Sequence, residues 1–220
     1  MRYLGRKNGL KMDIQTFSVF AFAALMLNIT PGNDMIFVAT HATSCGVRAG
    51  IMAALGIAVG CLVHIFAAVV GISAIVAKSA FLFDAIKYLG AAYLIYIGVK
   101  SVFSKTQTFD IQTIKKEKTH FEVFKQGVVT NVLNPKVALF FLAFLPQFVP
   151  PQYDNMGFLI LILGLWFNFS GTVVNALVAV AFGKAGNFLN QHPTFTKWQE
   201  KFTGVVLILL GLKVAFLKKN

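Results

Sequence analysis

Two short motifs bring together residue types that bind small molecules inside a membrane: Thr30-Pro31-Gly32-Asn33-Asp34 and, in the second half of the chain, Asn134-Pro135-Lys136. Proline removes a backbone donor and interrupts a helix, which leaves N–H and C=O groups without intrahelical partners. Where a helix restarts after Pro31 or Pro135, the loose N–H groups and the positive end of the dipole suit a carboxylate. The carbonyls that end the preceding turn suit an ammonium, so a pair of breaks holds both ends of a zwitterion. Thr30, Asn33, Asn131 and Asn134 add neutral donors and acceptors beside the breaks. A single kink is more simply a packing device capped by Asn and Thr, but two in matching places point to binding.

Asp34 and Lys136 carry the charge at these breaks. An ionisable side chain inside the hydrocarbon zone costs at least about 2.5 kcal/mol, so each needs a reason to be there. The alternatives are an ion pair between them or two groups facing one substrate. Asp34 is also the candidate proton-coupling group, since a carboxylate held away from bulk water is a group that takes up and releases a proton during transport. Further candidates are Asn168 and Asn175, seven apart on one helix face with Thr172 between them. They line a path or make interhelical hydrogen bonds, and both readings stay open. For His64 a hydrogen-bonded packing role outweighs a proton relay.

The elements that position these residues must be membrane spans. Hydrophobic residues are 57% of 220 and charged residues 13%, with a mean hydropathy of +0.71. That is half the charge of a soluble domain and enough apolar sequence for about six crossings. Residues 49–77 and 155–183 carry no charge. Further spans are read at 81–103 and 198–217, and two longer ones at 14–43 and 121–149 contain the breaks. The net charge of +12 lies between the apolar stretches, where lipid headgroups rather than nucleic acid meet it. Cys45 and Cys61 have no redox or zinc-binding spacing, and no nucleophile triad, phosphate loop or metal-ligand cluster is visible. An enzyme is not expected, nor a cofactor or metal.

Superposing Pro31 on Pro135 also superposes Phe17 on Phe121, Phe20 on Phe124 and Phe37 on Phe141. The halves end alike, in Gly98-Val99-Lys100 and Gly211-Leu212-Lys213. Three spans per half make the repeat inverted, with an N-terminal extension at 1–11, a first repeat at 12–103, a basic loop at 104–120 and a second repeat at 121–220. Ten basic residues then flank one side and nine the other, or five if the chain begins at Met12. The loop at 104–120 is therefore expected to be cytoplasmic and both termini outside.

Thr30-Pro31-Gly32-Asn33-Asp34, Gly46-Val47-Arg48-Ala49-Gly50 with Gly56 and Gly60, Leu89-Gly90-Ala91-Ala92-Tyr93-Leu94 with Gly98, and Asn134-Pro135-Lys136 leading to Phe140-Phe141 and Leu145-Pro146-Gln147-Phe148 together resemble the LysE/RhtB family of bacterial amino-acid exporters. The resemblance runs along most of the chain from Met12. It implies an all-α, six-span carrier in the inner membrane that exports amino acids such as lysine, arginine, threonine, homoserine or leucine, driven by the proton gradient. The implied partners are the amino acid, protons and the lipid bilayer, with a homo-oligomer left open. The family's first break usually reads Pro-Gly-Pro, and Asn33 stands here in place of the second proline. The alternatives are a cation or metal exporter, a membrane thiol-disulfide carrier, and a structural subunit. Too few carboxylates, His or Cys lie in the interior for a metal.

Overall fold

The computed structural model describes residues 12, 14–78, 80–103, 119–149 and 155–190, and within 201–212 all but 203, 206 and 210. The expected extension at 1–11 and nearly all of the basic loop at 104–120 lie outside the described residues. Every regular element described is helical: α1 (Ile14–Ile29), α2 (Asn33–Lys78), α3 (Ala80–Phe103), α4 (His120–Val132), α5 (Pro135–Leu139) and α6 (Met156–Asn190), followed by helical residues within 201–212. The stretch Asn33–Gly71 and the helix Met156–Lys184 each contain a segment long and apolar enough to cross a bilayer. His120–Val132 and Pro135–Phe148 pass as one bent span, with 44° between them. The chain is a helical membrane protein.

Local chemistry sets the helix ends. Thr119 caps α4 in a reciprocal box: its backbone N–H donates to Glu122 Oε2 at 2.8 Å, and the Glu122 N–H donates to Thr119 Oγ1 at 3.2 Å. Asn155 Oδ1 accepts the Phe158 N–H at 3.0 Å where α6 begins. Between 43 and 49, where the sequence suggests a loop, the connection is one residue. Gly46 stands at φ 84° and ψ 172°, a backbone state that glycine adopts without Cβ strain. A Cβ on Gly50 would sit 2.7 Å from that of Ala42, although residues eight apart in a straight helix are separated by about 12 Å. α2 is therefore a hairpin with arms 33–45 and 47–78.

Small residues let the helices approach closely, as membrane packing requires. Along the second arm of α2, Gly56 meets the backbone of Phe124 and Gly127, and Gly60 meets Val128 and Asn131. Both numbers rise together, so this arm and α4 run parallel. α6 runs antiparallel to the same arm, with Gly164 against Ile65 and Gly183 against Val47. The helical residues within 201–212 run antiparallel to α3, with Gly98 against Gly204 and Ile208 and Gly211 against Ala91 and Ile95. A side chain at Gly56 would collide with the Phe124 carbonyl oxygen, a backbone atom that cannot step aside alone. Gly56→Val is expected to abolish the folded, monodisperse protein in detergent, while Gly71→Val, which meets nothing within 4 Å, leaves the melting curve in place. Equal melting curves would show that the α2–α4 seam tolerates a wedge.

The broken span holds a second irregularity that the sequence reading does not anticipate. Pro146 lacks an N–H, and its ring crowds the carbonyl four residues back. The chain answers with a π turn at Phe140–Phe144 and a 3-10 turn at Leu145–Phe148. Rings from this stretch pack with Phe20 of α1 and Phe167 of α6. Phe140 lies 4.1 Å from Phe167, and Phe148 lies edge-on to Phe20 at 5.2 Å. This buried aromatic cluster fixes the second break against α1 and α6.

Candidate functional site

The first break covers residues 30–32, between α1 and α2. Thr30 closes α1 by donating both its N–H and its hydroxyl to the Met26 carbonyl oxygen, at 3.0 and 2.8 Å. Ile36 N–H donates to Gly32 O at 2.9 Å as α2 restarts, which leaves the N–H groups of its first turn without intrahelical acceptors. Asp34 sits in that first turn, where the helix dipole favours a carboxylate.

The second break is built differently from the expectation that its restart would offer loose N–H groups. Asn134 caps α5 by accepting the Lys136 N–H on its Oδ1 at 3.0 Å, and Pro135 has no N–H to offer. The freed groups here are largely consumed internally. Carbonyl groups of the preceding turn are held as well. Asn131 O accepts from Asn134 N–H at 2.9 Å and from His64 Nε2, also at 2.9 Å. A carbonyl only accepts, so the His64 Nε2 carries a hydrogen.

The two breaks meet. Lys136 Nζ donates to the Thr30 carbonyl oxygen at 2.7 Å, and Asn131 Nδ2 donates to Asp34 Oδ2 at 2.8 Å. The Lys136 stem lies over Gly32, whose absent Cβ would be 3.5 Å from Cδ and Nζ. The ammonium expected from a substrate at the free carbonyl is thus supplied by the protein's own lysine. The lysine's hydrogen bond goes to Thr30 rather than to Asp34. Asp34 Oδ1 and Asn131 Oδ1 are both buried without a hydrogen-bond donor, an acceptor surplus that one proton on the carboxyl would reduce.

Two cavities flank Lys136. The larger, about 440 Å³, is lined from the breaks by Thr30, Pro31, Gly32, Asn33, Asn134, Pro135 and Lys136. The smaller, about 30 Å³, is bounded by Asp34, Asn28 and Asn175 together with Thr30, Gly32, Asn134 and Lys136, and has the volume of a single water molecule. Asn168 stands apart from both linings and donates to the Ala58 carbonyl oxygen at 3.2 Å between helices. Asn28, which no motif singles out, donates to Phe167 O at 3.1 Å and to Ser170 Oγ at 3.0 Å. The α3 residues on the larger cavity likewise lie outside the two break motifs. Among the described residues no group of three or more His, Cys, Asp or Glu is placed to hold a metal ion. Cys45 is exposed beside the hinge and Cys61 is buried. Some fourteen residues of helix past Gly46, or about 20 Å, separate the two sulfur-bearing positions, which is too far for a disulfide.

A helical membrane bundle whose interrupted helices converge on a cavity lined by Thr, Asn and Lys beside apolar side chains has the architecture of a solute translocator. The profile of the LysE type translocator family matches residues 25–218. The chain belongs to that family of membrane transporters. It is 34% identical over 206 residues to the membrane protein YrhP of Bacillus subtilis, covering 86% of this chain and 93% of that one. A Vibrio cholerae membrane protein is 28% identical over 213 residues, 94% of this chain and all of its own length. The homoserine/homoserine lactone efflux protein of Salmonella typhimurium is 28% identical over 207 residues, 93% of this chain and 98% of its own. No solved structure gives a significant match.

Proposed function

We propose that the chain is a secondary exporter of amino acids of the inner membrane, working by alternating access around the two helix breaks with Asp34 as the proton-carrying group. One observation carries this reading: the hydrogen bond from Lys136 Nζ to Thr30 O, which joins the two interrupted helices at the floor of a cavity large enough for an amino acid. Substrate-binding roles fall to Thr30, Pro31, Gly32, Asn33, Asn134, Pro135 and Lys136 around that cavity, with Asn131 and Asn175 acting through Asp34 and the smaller one. The Salmonella typhimurium relative, named for efflux of homoserine and homoserine lactone, supports export of an amino acid or a close derivative.

The same reading makes the fold a six-span inverted repeat, 12–103 against 121–220, joined by the cytoplasmic loop at 104–120. Its support is directional. The first arm of α2 ends at Gly46, level with the start of α4, because the second arm and α4 run parallel from there. α1 and α4 therefore approach their breaks from opposite ends, and α3 and 201–212 form an antiparallel pair of third helices. Vesicles loaded with labelled homoserine, threonine, leucine, lysine and arginine are expected to release at least one of them faster when a proton gradient is imposed. Rates equal to those of protein-free vesicles for the whole panel would overturn the reading.

A further inference from the structure

The larger cavity has a wall that neither break supplies. Tyr93, Tyr96, Ile97, Lys100 and Ser101 of α3 line it, and their spacing of three, four, seven and eight residues makes them one helix face. Lys100 and Lys136 are the charged groups of the lining, and no acidic residue among those described faces the cavity. The nearest carboxylate of the site, Asp34, borders only the smaller cavity on the far side of Lys136. Ile36, Ile97 and Leu139 complete the lining with apolar surface. With two lysines and no described carboxylate on the lining, the potential in the space is positive.

Resting on the export reading above, the geometry points to this face of α3 as the selectivity wall of the cavity: Lys100 draws in the substrate carboxylate and repels any substrate whose side chain carries a positive charge. The tyrosines add hydroxyl groups and flat apolar surface against which an uncharged side chain packs. Lys136 is already committed to Thr30 O and can give a substrate only its remaining N–H donors. Lys100 is solvent-exposed near the end of α3, and a lysine there also agrees with the helix dipole. Its charge is therefore tolerated there without an ion pair among the described residues.

The test is competition for export of labelled homoserine from vesicles holding the full-length protein. With the unaltered chain, threonine is expected to compete, whereas arginine, lysine and homoserine lactone, which lacks a carboxylate, are not. Lys100→Glu should lower the half-inhibiting concentration of arginine by about tenfold and raise that of threonine by a similar factor, as expected for reversing one charge at short range. Lys100→Gln should fall between the two and decides the matter if the glutamate variant does not reach the membrane. Three results overturn the proposal: arginine competing with the unaltered chain as well as threonine does, homoserine lactone competing as well as homoserine, or a ranking that neither substitution changes. In each of these the exporter reading survives. If no amino acid is carried at all, that reading fails first and takes this one with it.

Discussion

Vesicles carrying Asp34→Asn are expected to bind and exchange amino acid near the unaltered level yet to show no efflux driven by a proton gradient. The reason lies in the donor count. Asn131 already donates to Oδ2, while Asp34 Oδ1 and Asn131 Oδ1 have no donor. Asparagine at position 34 brings its own N–H donors in the same shape, and so stands permanently in for the protonated acid. The fold should survive, because the substitution relieves a surplus of acceptors rather than creating one. What disappears is the ability to cycle between two charge states. Asp34→Glu keeps the charge and should retain part of the coupling. Gradient-driven efflux at the ordinary rate in Asp34→Asn would remove this residue from the energy-coupling step.

The second large effect is expected at Lys136. Its ammonium makes a charge-assisted hydrogen bond to Thr30 O while its stem covers Gly32. Hydrogen bonds to charged groups contribute roughly 1.5–3 kcal/mol, which corresponds to about a 10- to 100-fold change in affinity when the group also serves the substrate. Lys136→Ala removes both charge and stem, whereas Lys136→Met removes the charge and keeps a chain over Gly32. Half-saturating concentrations raised in both variants would assign the effect to the charge. A defect confined to the alanine variant would assign it to packing. Ordinary affinity and rate in both would exclude Lys136 from substrate handling.

The sequence is legible where one residue type decides the outcome. Uncharged runs at 49–77 and 155–183 correspond to the second arm of α2 and to α6, because bilayer-length apolar sequence has few alternatives. The interruptions at Pro31 and Pro135 are equally legible, since proline cannot continue a helix hydrogen-bond ladder. The one-residue turn at Gly46 is hidden, because a glycine between helix-compatible neighbours looks the same whether it reverses the chain or not. The π turn at Phe140–Phe144 depends on Pro146 together with rings contributed by α1 and α6, and no local pattern records those partners. Among the polar residues, the pairing of Lys136 with a carbonyl rather than with Asp34 follows from tertiary placement alone. Tyr93, Tyr96, Lys100 and Ser101 do carry a signal in their helical spacing, but near a span end that pattern reads as an ordinary interface with headgroups. Asn168 and Asn175 share a helix face, and only the position of neighbouring helices separates an interhelical bond for one from a place beside Asp34 for the other.

The lysine seated on Thr30 has one more consequence. Because it is covalently attached, it faces that carbonyl at a local concentration that dilute free solute does not approach. That carbonyl is therefore satisfied before any solute arrives, and an ammonium brought from outside would meet a tethered rival there.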